Sequence, residues 1–398
     1  MRIALAAVFA LLTLIITSTA SAAAPHGWKL HVGKPGLPAV LLVHGLASST
    51  MNWTNPGNAW NIRPAHFNHS ATIGTESGVG EHAREGVVGF VVSPIDGAAG
   101  ENGSFWTYLT AQGFTVATWD QSTCIASATF PSNACLDTDL FDPAFPSAKA
   151  ALEELARLTP PEMPIAIIGH SRGGLVARRL LKEKNLPGVS RVRWYVSLHT
   201  PHQGSSFATR GTEIQRALGG IGHAIKFDGM PKLLQSAASK LLPDLSKALD
   251  GAIDGIVKIA GLPGAKELAE GGPLYQDLER GETKLPGVTY VTFGGTSPRI
   301  AHLYVRAYTL ASAEPHRKKH GVGTEYHWSI EPHQVLDFPH DLKMPVPEMQ
   351  SGVGDLMVTD KSSHFRFEDK HFTNALNHAE VLWNRDVQRK VVEILIAR

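Results

Sequence analysis

The stretch Pro164–Gly174, PIAIIGHSRGG, limits the folds open to this chain more than any other. Its apolar run, Ile165-Ala166-Ile167-Ile168, has no periodic polar face and stops at Gly169. That is the pattern of a strand buried on both faces in a parallel sheet. Gly169-His170-Ser171-Arg172-Gly173 follows, with a glycine two residues to either side of a serine. From Gly174 to Lys182, apolar residues then recur three and four apart with basic residues between them, as on a helix. A serine held between strand and helix sits on a strained turn with its hydroxyl out of the sheet. A side chain two positions away on either side would strike the neighbouring strand or helix, and glycine removes it. The five-residue pattern alone is weak in a chain with 38 glycines. In this setting it makes Ser171 a candidate nucleophile, against the plain alternative of an ordinary strand–helix turn.

The same alternation runs through much of the chain. Pro38–Gly45 (PAVLLVHG) reads as another buried strand, after which the Leu46 N–H is a candidate oxyanion donor. Ser104–Gly113 reads as a short helix, Phe114–Trp119 as a strand, and Ser147–Leu158 as an amphipathic helix stopped by Pro160-Pro161. Strands follow at Val192–Leu198 and Val288–Phe293. Repeated strand–helix alternation predicts a mainly parallel central sheet with helices on both faces. His44, Ser171 and Thr200-Pro201-His202 all fall at carboxyl ends of strands, where such sheets place their sites.

Three segments interrupt the pattern. Residues 46–103 read as a long loop insertion rich in Gly, Asn, Ser and His, and 311–350 as a second irregular insertion. Between them, 206–286 carries Leu233, Leu234, Leu241, Leu242, Leu245, Leu249, Ile253, Ile256 and Ile259 at helical spacing. This predicts an inserted helical cap, either extra packing or a lid whose apolar face lines an acyl pocket. With no Gly/Ser linker and no internal repeat, residues 23–398 are expected to form one catalytic domain.

Bulk properties narrow the function classes. Of 398 residues, 43% are hydrophobic and 18% charged, a globular composition. A net charge of +1 gives no reason to expect a nucleic-acid partner. Residues 1–22, with Arg2, an apolar core from Ile3 to Ile16 and Ala20-Ser21-Ala22, read as a signal peptide for secretion or the periplasm. No later stretch reads as a transmembrane segment. In an oxidising compartment Cys124 and Cys135, eleven apart, are expected to form a disulfide worth roughly 3 kcal/mol in the chain-entropy model.

A serine nucleophile needs a histidine base and an acid to orient it, in the chain order Ser, Asp or Glu, His for this class of sheet. Asp355 in Gly354-Asp355-Leu356-Met357-Val358 is the preferred acid, with Asp360 and Asp341 as rivals. His378, just before a final amphipathic helix with Val381, Leu382, Val387, Val391 and Leu395 on its apolar face, is the preferred base, with His364 and His371 as alternatives. Asp360, His364, Glu368, Asp369 and His371 lie close together but without recognisable ligand spacing. They read as solvated loop residues, and no metal or other cofactor is expected.

LLVHG at 41–45, GHSRGG at 169–174, HTPHQGS at 199–205, GDLMV at 354–358 and NHAEVL at 377–382 fall in an order that resembles the secreted bacterial lipases and esterases of the α/β-hydrolase superfamily. The resemblance implies an α/β-hydrolase fold, with Ser171 as nucleophile, Asp355 as acid and His378 as base. It further implies an oxyanion hole from the N–H groups of Leu46 and Arg172. The expected activity is cleavage of carboxylic esters, such as lipid acyl esters, through an acyl-enzyme, with contact at a lipid–water interface. The alternatives are an acyltransferase or polyester depolymerase with the same triad, or a lipid-binding protein without catalysis.

Overall fold

The computed structural model describes residues 27–46, 48–56, 103–120, 147–210, 213, 263–299 and 346–397, together with the backbone of strands within 65–94 and 301–338. In chain order the first elements are β1 (Lys29–His31), β2 (Ala39–Val43), a short helix α1 (Met51–Thr54), β3 (Ala65–Ile73) and β4 (Arg84–Pro94). Then come α2 (Phe105–Gln112), β5 (Thr115–Thr118), α3 (Ala148–Leu158), β6 (Ile165–His170), α4 (Arg172–Lys182) and β7 (Val192–Leu198). Two short helices follow, α5 (Pro263–Lys266) and α6 (Pro273–Glu279), and then β8 (Thr289–Gly295).

The central sheet has seven strands in the order β1-β5-β2-β6-β7-β8-β14, where β14 is Lys370–Asn374. Only the edge pair β1–β5 is antiparallel; every other pairing is parallel. Alternate residues feed two separate cores. Ala39, Leu41, Val43, Ile165 and Ile167 pack on one face with Leu152 of α3 and Leu175 and Leu180 of α4. Val40, Leu42, Ala166 and Ile168 pack on the other with Phe105 and Leu109 of α2. Both faces being covered is why these strands are apolar without alternation. Each fully buried Leu or Ile contributes about 1.5–3 kcal/mol. The second core is completed by α8 (Arg385–Ile396), which turns Val387, Val391 and Leu395 inward. Val381 and Leu382 join that core from a single 3₁₀ turn, Glu380–Leu382, ahead of the helix and not on its face as predicted. Seven strands in this order, with one strand–helix crossover after another, form the expected α/β-hydrolase fold.

A second, antiparallel sheet corrects the reading of two insertions. It joins β3 and β4 to β9 (Ala301–Leu310), β12 (His327–Ser329) and β13 (His333–Phe338). A separate hairpin pairs β10 (Pro315–Lys318) with β11 (Gly321–Thr324). Residues 46–103 and 311–350 are therefore partly strand. The Leu- and Ile-rich part of the expected cap, 214–262, lies outside the described residues, as do the expected leader at 1–22, Cys124, Cys135 and Asp341. Among the described residues no helix is long and apolar enough to cross a membrane.

Candidate active site

Ser171 is the residue between β6 and α4, and its backbone sits at φ 56°, ψ −134°. A side chain in this region stores about 1–3 kcal/mol of strain, which the surroundings must hold. Part of the hold is the Ser171 N–H, which donates to the Leu198 carbonyl of β7 at 2.9 Å. The rest is close approach. A Cβ on Gly169 would lie 2.5 Å from Gly174 Cα, and one on Gly173 would lie 2.3 Å from the Val43 carbonyl oxygen. Both neighbours are backbone and cannot swing aside. Gly173→Ala is thus expected to cost about 1–3 kcal/mol by overpacking. A urea midpoint shift too small for 1 kcal/mol would show that the approach relaxes freely.

Gly45 packs over the nucleophile: a Cβ there would lie 2.8 Å from Ser171 Cβ and 3.3 Å from its Oγ. This brings the turn carrying Leu46 next to Ser171. On the other side, Arg172 is the first residue of α4, where amides have no intrahelical acceptor. The Arg172 side chain is buried and turned into an ion pair with Glu267, 3.1 Å away.

Asp355 and His378 are brought together at 2.8 Å, Nδ1 to Oδ2. Asp355 Oδ1 accepts from the N–H groups of Met357 and Val358 at 2.9 and 2.8 Å, so the carboxylate is aimed by its own turn. The two loops are also joined by the His378 N–H donating to the Asp355 carbonyl at 2.9 Å. Around His378 the sequence Asn377-His378-Ala379-Glu380 closes reciprocally. Asn377 Oδ1 accepts from the Glu380 N–H, and Glu380 Oε2 accepts from the Asn377 N–H, both at 2.8 Å. That is the bonding of a capping box, which fixes the backbone on which the imidazole stands.

Three further buried side chains belong to the site and were not picked out from sequence. His170, next to Ser171, donates from Nε2 to the His378 carbonyl at 2.8 Å, with Asn52 3.3 Å from its Nδ1. Burial, then the neighbouring His378, pushes the His170 pKa well down, so it is a neutral strut between the elbow and the base loop. His199 follows β7 directly in left-handed backbone, φ 50°, with Nδ1 2.7 Å from the same Asp355 oxygen that faces His378. Its N–H is off line for a good hydrogen bond, so the contact is mainly electrostatic. Burial raises the Asp355 pKa, but His378 and His199 outweigh it and hold the carboxyl well below the ordinary range. Glu348 is fully buried and ties the loops together: it accepts from the Ser206 N–H at 2.6 Å, while its carbonyl takes the Leu356 N–H at 2.8 Å. No local sequence pattern marks His170, His199 or Glu348 as supports of the site; only the Asn-x-x-Glu spacing at 377–380, which fixes the His378 backbone, could have been read as a capping box.

The rival candidates lie elsewhere. Asp360 Oδ1 lies 3.1 Å from His371 Nε2, and His364 stacks on His371. These residues sit on α7 (Asp360–Ser363), just after it, and on β14. They are half-buried and packed against one another, which corrects their reading as solvated loop residues. His202 is structural as well: its Nε2 lies 2.9 Å from Ser197 Oγ and its ring stacks on Phe365.

Residues 149–219 match the family described as a PGAP1-like alpha/beta domain. No curated protein matches the chain in sequence. Among solved structures, the mature Bacillus licheniformis lipase BlEst2 is similar at 12% identity and a TM-score of 0.39, covering 94% of this chain and 99% of that one. A proline iminopeptidase from Mycobacterium smegmatis gives 12% and 0.37, covering 93% and 96%. A putative aryl esterase from Burkholderia cenocepacia gives 12% and 0.33, covering 93% and 95%. Likenesses this distant carry nothing about substrate.

Proposed function

We propose that this chain is a serine hydrolase that cleaves carboxylic esters, lipid acyl esters foremost, through an acyl-enzyme. The observation that carries the reading is the pairing of a strained serine at the end of β6 with a buried, ionised carboxylate bonded to an imidazole at the same end of the sheet. His378 Nε2 takes the Ser171 proton as Oγ attacks the ester carbonyl. Asp355 holds the Nδ1–H and offsets the charge that forms on the ring. The developing oxyanion is met by the N–H groups of Leu46 and Arg172, each such donor contributing about 3–4 kcal/mol. His378 then protonates the leaving alcohol, and a water deprotonated by the same ring releases the acid. On the same reading the leader is removed near Ala22, the Cys124–Cys135 bridge forms, and the enzyme works outside the cytoplasm.

The test is covalent. A fluorophosphonate probe is expected to add once, at Ser171 by peptide mapping, and to abolish hydrolysis of p-nitrophenyl esters. A chain-length series with and without an emulsified interface then sorts lipase from short-ester esterase. Stoichiometric labelling elsewhere, or full turnover after labelling, would remove Ser171 from the mechanism. Turnover only with an added alcohol acceptor would make it an acyltransferase.

A further inference from the structure

We propose that Asp360, His364 and His371 form a zinc site behind the candidate active site, bracing the segment after Asp355 to the strand before His378. One ligand atom from each residue lies within 4.8 Å of the others. Asp360 opens α7, five residues after Asp355, and His371 is on β14, whose last residue is three before Asn377. A metal held between them would fix the two loops that carry the acid and the base.

The surroundings are arranged as a metal site requires. Ligating imidazoles donate their other ring N–H to a fixed acceptor. Here His364 Nδ1 lies 2.6 Å from Glu368 Oε1, and His371 Nδ1 lies 2.7 Å from Thr292 Oγ1. The Thr292 hydroxyl donates onward to Glu368 Oε2, so it accepts from His371 and one carboxylate anchors both rings. Each ring is left with Nε2 as its lone-pair atom. His371 Nε2 then faces Asp360 Oδ1 at 3.1 Å, lone pair toward lone pair, an arrangement that calls for a cation between or beside them. Two ligands at zinc bond lengths in a tetrahedron stand about 3.4 Å apart, close to this spacing. Asp360 Oδ2 is meanwhile held by the Thr373 hydroxyl at 3.1 Å. Gly294 makes the room: a Cβ there would lie 2.1 Å from Asp360 Oδ1 and 3.2 Å from His371 Cε1.

Two imidazoles and one carboxylate favour zinc over calcium or magnesium, which take oxygen ligands. The two imidazole rings stack with their centroids 3.6 Å apart, which keeps both on one side of Asp360. The His364 side chain is 41% exposed, so a position at the site is open to water.

The full chain, stripped with EDTA and exchanged into chelator-free buffer, is titrated with zinc chloride by calorimetry and assayed for bound metal after gel filtration. Expected are one zinc per chain and a Tm that rises by several degrees. His364→Gln and His371→Gln should each weaken binding about tenfold or more, and the double variant should bind no stoichiometric zinc while keeping its circular dichroism spectrum. Ser171→Ala protein should bind as wild type does, so the result stands apart from ester hydrolysis. Failure of the wild type to bind would mean that a proton, not a metal, satisfies Asp360 and His371. Equal zinc uptake by the double variant would place the metal elsewhere, as on His199, Asp355 and His378. Either result overturns the site.

Discussion

Replacing Ser171 with alanine is expected to lower kcat/KM on a soluble ester by about 10⁵–10⁶-fold while leaving the fold intact. The loss is large because no other group can form the acyl-enzyme, and the remaining rate comes only from binding and the two oxyanion donors. The fold survives because alanine keeps the Cβ and the same backbone preferences at φ 56°, so the strain at the elbow is unchanged. Surface-like stability effects, within about 0.5 kcal/mol, are expected from urea unfolding. Most of the loss should fall on kcat, since the hydroxyl acts on the reacting carbonyl and not on the acyl chain. A residual rate within about tenfold of wild type would sink the serine mechanism. Unchanged binding of a lipid by a wild type that never turned it over would point to the non-catalytic alternative.

What could be read from sequence follows from where tertiary contacts do the specifying. β2, β6 and β7 are buried on both faces, so their apolar runs announce them without any partner being known. β14, KHFTN, has no apolar run; it is strand because it pairs with β8 at the sheet edge, a contact 79 residues long from His371 to Thr292. The second sheet is similar, since β3 (AHFNHSATI) owes its form to pairing with β4, and β4 to pairing with β9, more than 200 residues on. Asp355 and His378 were legible because chain order and a turn-forming Gly-Asp restrict the choice. His199 was not: it opens the HTPHQGS stretch, but that stretch does not say that its first residue reaches the acid, a contact made only after β7 and β8 pair. The cluster around His371 was misread for the same reason: spacings of four and seven match no ligand pattern until the turn at 365–369 folds them onto Thr292.

Asp355→Asn is expected to lower kcat by about 10⁴-fold. The direction in which the new amide must point decides the outcome. In the wild type, Oδ1 accepts from two backbone N–H groups while Oδ2 faces Nδ1 of both His378 and His199. An asparagine keeps its own oxygen toward Met357 and Val358, because an NH₂ there would meet two donors. Its NH₂ therefore meets the imidazoles, and His378 must present a bare Nδ1 and carry its proton on Nε2. That tautomer cannot take a proton from Ser171. Stability gives an independent reading. The Asp355 carboxyl is held below its ordinary range, so its contribution is present in full above the unfolded value of about 3.9 and fades as pH falls through the folded value. The stability gap between wild type and variant, from urea midpoints, should therefore narrow as pH drops below about 4. A gap that widens in acid would mean that the carboxylate is not the favoured form, and a kcat within about tenfold of wild type would free His378 from its dependence on Asp355.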